Sequence, residues 1–136
     1  MTEQSAILKF WETVKHFKPS EFDSPDETGS GFNISMELIK IIDQIRQETG
    51  IAMKINSGYR TKQHNLEVGG KPDSAHTQGF AVDILVLSSQ DRFTLIKKAL
   101  DKGITRIGIG STFLHLDLDY SKPQSVCWLY PTGSGG

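Results

Sequence analysis

The chain predicts an α+β fold in which a small antiparallel sheet is flanked by helices. Residues 35–50 and 88–103 repeat apolar side chains at helical spacing, each stretch opening on serine and closing on glycine. From Ile104 onward the period changes to two, and residues 80–87 form an almost unbroken apolar run interrupted by Asp83. That mixture of periods belongs to helices packed against a sheet.

Taken in order, Ile7, Trp11 and Val14 fit a helical stripe over residues 5–17, with Phe10 and Phe17 off it. Pro19, Pro25 and the cluster at 24–31 read as an extended loop, because Pro and Gly interrupt regular structure. Ser35 caps a helix whose Leu38, Ile41, Ile42 and Ile45 share one face, and Gly50 stops it. Ile51, Met53 and Ile55 alternate with small or polar residues, so a short strand precedes Asn56. Residues 61–68 form a helical turn or two before Gly69-Gly70, and residues 80–87 suit a central strand. Ser88 or Ser89 caps a further helix with Phe93, Ile96 and Leu100 as its buried stripe, ending at Gly103. Turn signals at 108–111 mark a hairpin, and Val126, Trp128 and Tyr130 suggest a last strand.

With 136 residues the chain is long enough for one domain, over 1–131, with a flexible Gly/Ser tail at 132–136. Fifteen basic against sixteen acidic residues, without a basic run, give no electrostatic footprint for nucleic acid. Cys127, the single cysteine, reads as a small core hydrophobe. No apolar run approaches the ~20 residues of a membrane span, and no signal peptide opens the chain. The expectation is a monomer made in the cytoplasm and not inserted in membranes.

The chemistry concentrates late in the chain. Residues two apart on a strand share a face, so His115 and Asp117 project together. A solvated strand face is the plain alternative. His76 lies in a polar loop, and Asp83 puts a carboxylate in an apolar strand, where it needs a cation or several donors to offset burial. A structural acid held by backbone or arginine would satisfy the same pattern. Two imidazoles and one carboxylate leave a fourth tetrahedral position open, the composition of a catalytic zinc site; the donors favour zinc without excluding manganese, cobalt or nickel. Arg60, after Ser57-Gly58-Tyr59, is a clamp for a substrate carboxylate or an oxyanion, or else a structural ion-pair partner.

Ser57-Gly58-Tyr59-Arg60, His64-Asn65, Val68-Gly69-Gly70 and the run from Ser74 to Ile84 resemble the zinc D-alanyl-D-alanine carboxypeptidase family, which includes phage L-alanyl-D-glutamate endopeptidases. Ser74, His76, Gly79, Ala81 and Asp83 meet each fixed position of its Ser-x-His-x-x-Gly-x-Ala-x-Asp signature. Gly108-Ile109-Gly110 with Phe113-Leu114-His115-Leu116-Asp117 resembles the family's C-terminal zinc-binding segment, and the likeness spans residues 16–131. The resemblance implies His76, Asp83 and His115 as zinc ligands, Arg60 as a substrate or oxyanion group, and a peptidoglycan stem peptide as substrate, attacked at the bacterial cell wall. Several relatives carry an acid three residues before the last histidine ligand, where this chain has Thr112. Asp117 is the general base proposed in its place. His64 reads as an orienting residue, His16 as a surface residue and Asp119 as a rim residue, while Trp128 and Tyr130 are either cleft lining or core. The resemblance to the hedgehog zinc scaffold keeps open a second reading, a non-catalytic zinc module that binds peptidoglycan or a protein partner.

Overall fold

The computed structural model describes residues 2–134, so Gly135 and Gly136 of the expected tail lie outside the described residues. Helix α1 (Glu3–Thr13) begins at Thr2, whose hydroxyl accepts the Ser5 N–H, and it is shorter than the stripe suggested. Val14 is already extended, and Phe17 enters the core from the following segment. The expected extended loop is wound into two 3-10 turns, Pro19–Phe22 and Ser30–Asn33. Asp23 ties them together by accepting the Gly29 and Gly31 N–H groups at 3.1 and 2.7 Å.

Helix α2 (Met36–Thr49) has the predicted caps: the Ser35 hydroxyl accepts the Leu38 N–H, and Gly50 closes the helix in the left-handed conformation. Its core face carries Leu38, Ile39, Ile42 and Ile45, so Ile39 occupies the position expected of Ile41, which is half-buried. Strand β1 (Ile55–Ser57) starts where the predicted strand was to end. Helix α3 (Lys62–Glu67), strand β2 (Ala81–Leu85) and helix α4 (Ser89–Asp101) follow as expected. The stripe of α4 is rotated from the expected one. Leu95 and Ala99, one turn apart, face the sheet, whereas Phe93 and Leu100 are 71% and 53% exposed. Hydrophobicity alone picked the wrong side of this helix.

Strands β3 (Arg106–Ile109) and β4 (Phe113–Asp117) form the predicted hairpin, and β5 (Val126–Leu129) completes a five-stranded sheet in the order β1-β2-β4-β3-β5. All pairings are antiparallel except the last, since β5 runs parallel to β3. The cause is local. Asp117 ends β4 beside Arg106, and the connection 118–125 passes that end of the sheet to begin β5 opposite Arg106 again. Cys127 is exposed, not in the core, because the packed core covers β2, β3 and β4 and includes no residue of β5.

One face of the sheet buries Val82, Ile84, Ile107, Leu114 and Leu116 against α2 and α4. Full burial of each such side chain stabilises by about 1.5–3 kcal/mol, so this face fixes the register of the sheet. Alternation then sends Asp83, His115 and Asp117 to the opposite face together. No helix of the described residues is long and apolar enough to cross a membrane.

Candidate metal centre

Asp83 and His115 are direct cross-strand partners on β2 and β4, which brings their side chains within reach without any loop. His76 arrives from the 3-10 turn Ala75–Gln78, capped by the Ser74 hydroxyl and ended by Gly79 at φ 77°. Glycine is required there twice over, by the left-handed backbone and because a Cβ would lie 2.2 Å from the Asn33 carbonyl oxygen. His76, Asp83 and His115 are all buried, and their ligand atoms lie within 4.8 Å of one another.

Each imidazole is oriented by the nitrogen that points away from the cluster. His76 Nδ1 donates to the Gly58 carbonyl at 2.8 Å, which turns Nε2 toward Asp83 Oδ2, 3.3 Å away. His115 Nδ1 lies 2.8 Å from Asp83 Oδ1, and its Nε2 lies 2.7 Å from Asp117 Oδ2. One nitrogen of each ring and the Asp83 carboxylate thus converge, while hydrogen bonds to an acceptor hold each ring from behind, the arrangement that fixes tautomer and angle in metal sites. The residues fit a divalent ion.

The electrostatics agree with that fit. Burial alone would raise the Asp83 carboxyl, but the charge of His76 and the hydrogen bonds from His115 and His76 hold it well below the usual carboxylate range. Burial likewise opposes a charged His115, yet hydrogen bonds to Asp117 and Asp83 push it up to about 9. Without metal, His115 is therefore an imidazolium clasped between two carboxylates.

Asp117 is 2% exposed, and both of its oxygens are engaged. Oδ1 accepts from Arg106 Nε at 2.8 Å and from the Asp119 N–H at 3.0 Å, while Oδ2 faces His115. Burial raises its carboxyl, and the His115 and Asp119 hydrogen bonds with the His115 and Arg106 charges bring it below the ordinary value. A general base needs an oxygen turned to the attacking water. Both Asp117 oxygens are engaged in this arrangement, Oδ2 by His115, so the residue expected as the base sits directly behind a ligand of the cluster. Thr112 is exposed in the hairpin and contributes its carbonyl to the Val86 N–H.

Arg106, which sequence reasoning passed over, completes this chain of contacts, and its guanidinium also lies 5.1 Å from the Trp128 ring centroid. Arg60 approaches from the other side. Its Nη2 lies 3.6 Å from Asp83 Oδ2, Nε donates to Ser57 Oγ at 3.2 Å, and Nη1 donates to Asn65 Oδ1 at 3.3 Å. Asn65, buried, uses its amide to hold the Lys71 carbonyl at 2.8 Å, so the Arg60 fork and the loop after α3 are tied to one side chain. A cavity of about 310 Å³ opens beside Arg60, with Ser57, Gly58 and His64 among its lining.

His64 is half-buried on that wall, with Nδ1 3.9 Å from Glu67, apart from the metal ligands. His16 is exposed and bonded to Gln47. Asp119 is buried, not on the rim, because Ser121 and Lys122 fold back onto its carboxylate. Trp128 and Tyr130 are half-buried beside the centre, with ring centroids 5.4 and 6.4 Å from that of His115. They form a wall of the cleft.

The family described as Peptidase M15 matches residues 15–117, which contain His76, Asp83, His115, Arg60 and Asp117. No curated protein matches the chain. M15 peptidases depend on zinc, and the His76, Asp83, His115 group is a donor set of the kind that holds it. The chain belongs to the peptidase M15 family, the zinc D-alanyl-D-alanine carboxypeptidase type, and is by that membership a zinc metallopeptidase.

Proposed function

We propose that this protein hydrolyses peptide bonds in the stem peptides of bacterial peptidoglycan, as a D,D-carboxypeptidase or an L-alanyl-D-glutamate endopeptidase, in a phage-related setting at the cell wall. The observation that carries the reading is the convergence of two oriented imidazoles and a buried carboxylate on the open face of the sheet, with Arg60 at the rim. Zinc bound there supplies acidification of the attacking water and Lewis-acid polarisation of the scissile carbonyl. His76, Asp83 and His115 are the ligands in this reading. Gly58 and Asp117 hold the two rings, and Arg106 holds Asp117. Arg60 keeps its charge at any working pH and presents a planar fork to a substrate carboxylate or a developing oxyanion.

Purified protein incubated with peptidoglycan is expected to release new amino groups with zinc and none with chelator. Mass spectrometry of the resulting muropeptides identifies the bond cut. Metal-dependent binding to the wall without new amino groups would support the non-catalytic zinc module in its place.

Metal uptake should also carry a pH signature. His115 is protonated at pH 7 in the metal-free protein because its folded value is raised to about 9. Its ion-pair stabilisation is therefore present at neutral pH and is lost as pH rises through that value. Coordination requires the proton to leave, so zinc loading at pH 7 is expected to release about one proton from His115, with affinity rising about tenfold per pH unit toward 9. Calorimetry in buffers of different ionisation enthalpy reads this number directly. A release near zero would show His115 to be neutral before the metal arrives.

A further inference from the structure

We propose that the Tyr130 hydroxyl is a further catalytic group of this site, donating a hydrogen bond to the carbonyl oxygen of the scissile bond as charge builds on it. The proposal rests on the peptidase reading above. It concerns a residue beyond the span that the family match covers, residues 15–117.

The position of Tyr130 follows from β5. Gly108 pairs with Trp128, and the Tyr130 N–H donates to the Ile109 carbonyl at 2.9 Å, which continues the ladder. Residues two apart share a face, so the Trp128 and Tyr130 side chains lie on the metal side of the sheet. Gly108 makes room for both. A Cβ at that position would lie 2.6 Å from Trp128 Nε1 and 2.6 Å from Tyr130 Cε2, so the two rings rest directly on the β3 backbone and reach toward His115. Phe113 supports the tyrosine from behind, with ring centroids 4.9 Å apart.

The Tyr130 ring lies beside the ligand cluster, its centroid 6.4 Å from that of His115, which itself sits between Asp83 and Asp117. Arg60 follows β1 and Tyr130 follows β5, the two opposite edges of the sheet, so the two groups flank the ligand cluster from opposite sides. The Trp128 and Tyr130 rings meet edge-on with centroids 6.3 Å apart. An indole nitrogen is a donor only, so Trp128 makes no claim on the phenolic hydrogen. A neutral donor on one side and a guanidinium on the other form a two-sided cradle for an oxyanion.

Tyr130 keeps its proton throughout. Water adds its oxygen to the carbonyl carbon, the C–N bond breaks, and the water proton ends on the departing amine. The tyrosine contributes a hydrogen bond that shortens and strengthens only as the oxygen becomes anionic, so its loss acts on turnover more than on binding.

Tyr130→Phe removes the oxygen and keeps the ring. The expected result is a kcat about 100-fold lower, from the usual effect of deleting one oxyanion donor, with KM within about twofold, unchanged zinc content and unchanged Tm. A kcat within about threefold of the parent would overturn the proposal and leave Tyr130 as cleft wall only. A second measurement separates this from the peptidase reading itself. Binding of an alanyl phosphinate dipeptide, whose tetrahedral oxygens mimic the oxyanion, is measured on zinc-loaded protein by calorimetry. Tyr130→Phe should weaken it by about 100-fold while leaving the affinity for the product peptide unchanged. If the parent hydrolyses no peptide, the peptidase reading fails by that result alone. The phosphinate then still decides on Tyr130, and equal affinity of parent and variant, or no binding by either, overturns its role.

Discussion

Replacing His76 by alanine is expected to remove zinc and peptide hydrolysis together. The side chain has no substitute in the cluster: beside Asp83 Oδ2 the other nitrogen is that of the Arg60 guanidinium, which cannot ligate a cation, and the His76 Nδ1 bond to the Gly58 carbonyl anchors the turn to the loop that leads into Arg60. Three protein ligands are the minimum of a catalytic zinc site, and two leave the ion exchangeable. Elemental analysis after dialysis should find the parent near one zinc per chain and His76→Ala near none, with hydrolysis at background. A variant that held zinc stoichiometrically and cut peptide at the parental rate would remove this centre from the mechanism.

The second large effect separates two roles for Asp117. Loss of a carboxylate that orients a ligating histidine weakens metal binding by about 10–100-fold. Asp117→Asn is therefore expected to lower zinc affinity by that factor and to regain most of its kcat when zinc is supplied in excess. A general base behaves otherwise, since its removal leaves a saturated enzyme slow. The variant should also melt earlier, because the mostly buried Arg106 loses the carboxylate it faces at 2.8 Å. Activity that stays lost at saturating zinc would return Asp117 to the role of base.

The three residues that converge stood out in the sequence, two of them through local patterns and all three through the family resemblance. Asp83 breaks an apolar strand, and His115 falls on the polar side of an alternating one. Helices α2 and α4 were legible through their caps, Ser35 with Gly50 and Ser88 before Asp91. The side of α4 that faces the sheet was not. Phe93 is more hydrophobic than Ala99, but the packing surface selects by direction, and at that crossing a small side chain fits. The actual setting of Asp117 was hidden for a different reason. It depends on Arg106, a cross-strand partner whose identity follows only once the hairpin register is known. Equal steps outward from residues 110–113, which join the pair Ile109 and Leu114, set Arg106 opposite Asp117. The parallel course of β5 had no local signature, because it is decided by where the loop after Asp117 crosses the end of the sheet.

That edge strand has a consequence for how the cleft holds together. Strands β2 and β4, which carry Asp83 and His115, each have a hydrogen-bonded neighbour on both sides, whereas β5 is bonded to β3 alone. Local opening begins where fewest bonds are broken. The strands of the metal ligands and that of the aromatic wall thus stand at different depths in the ladder, and amide exchange is expected to be faster in β5 than in β2 and β4.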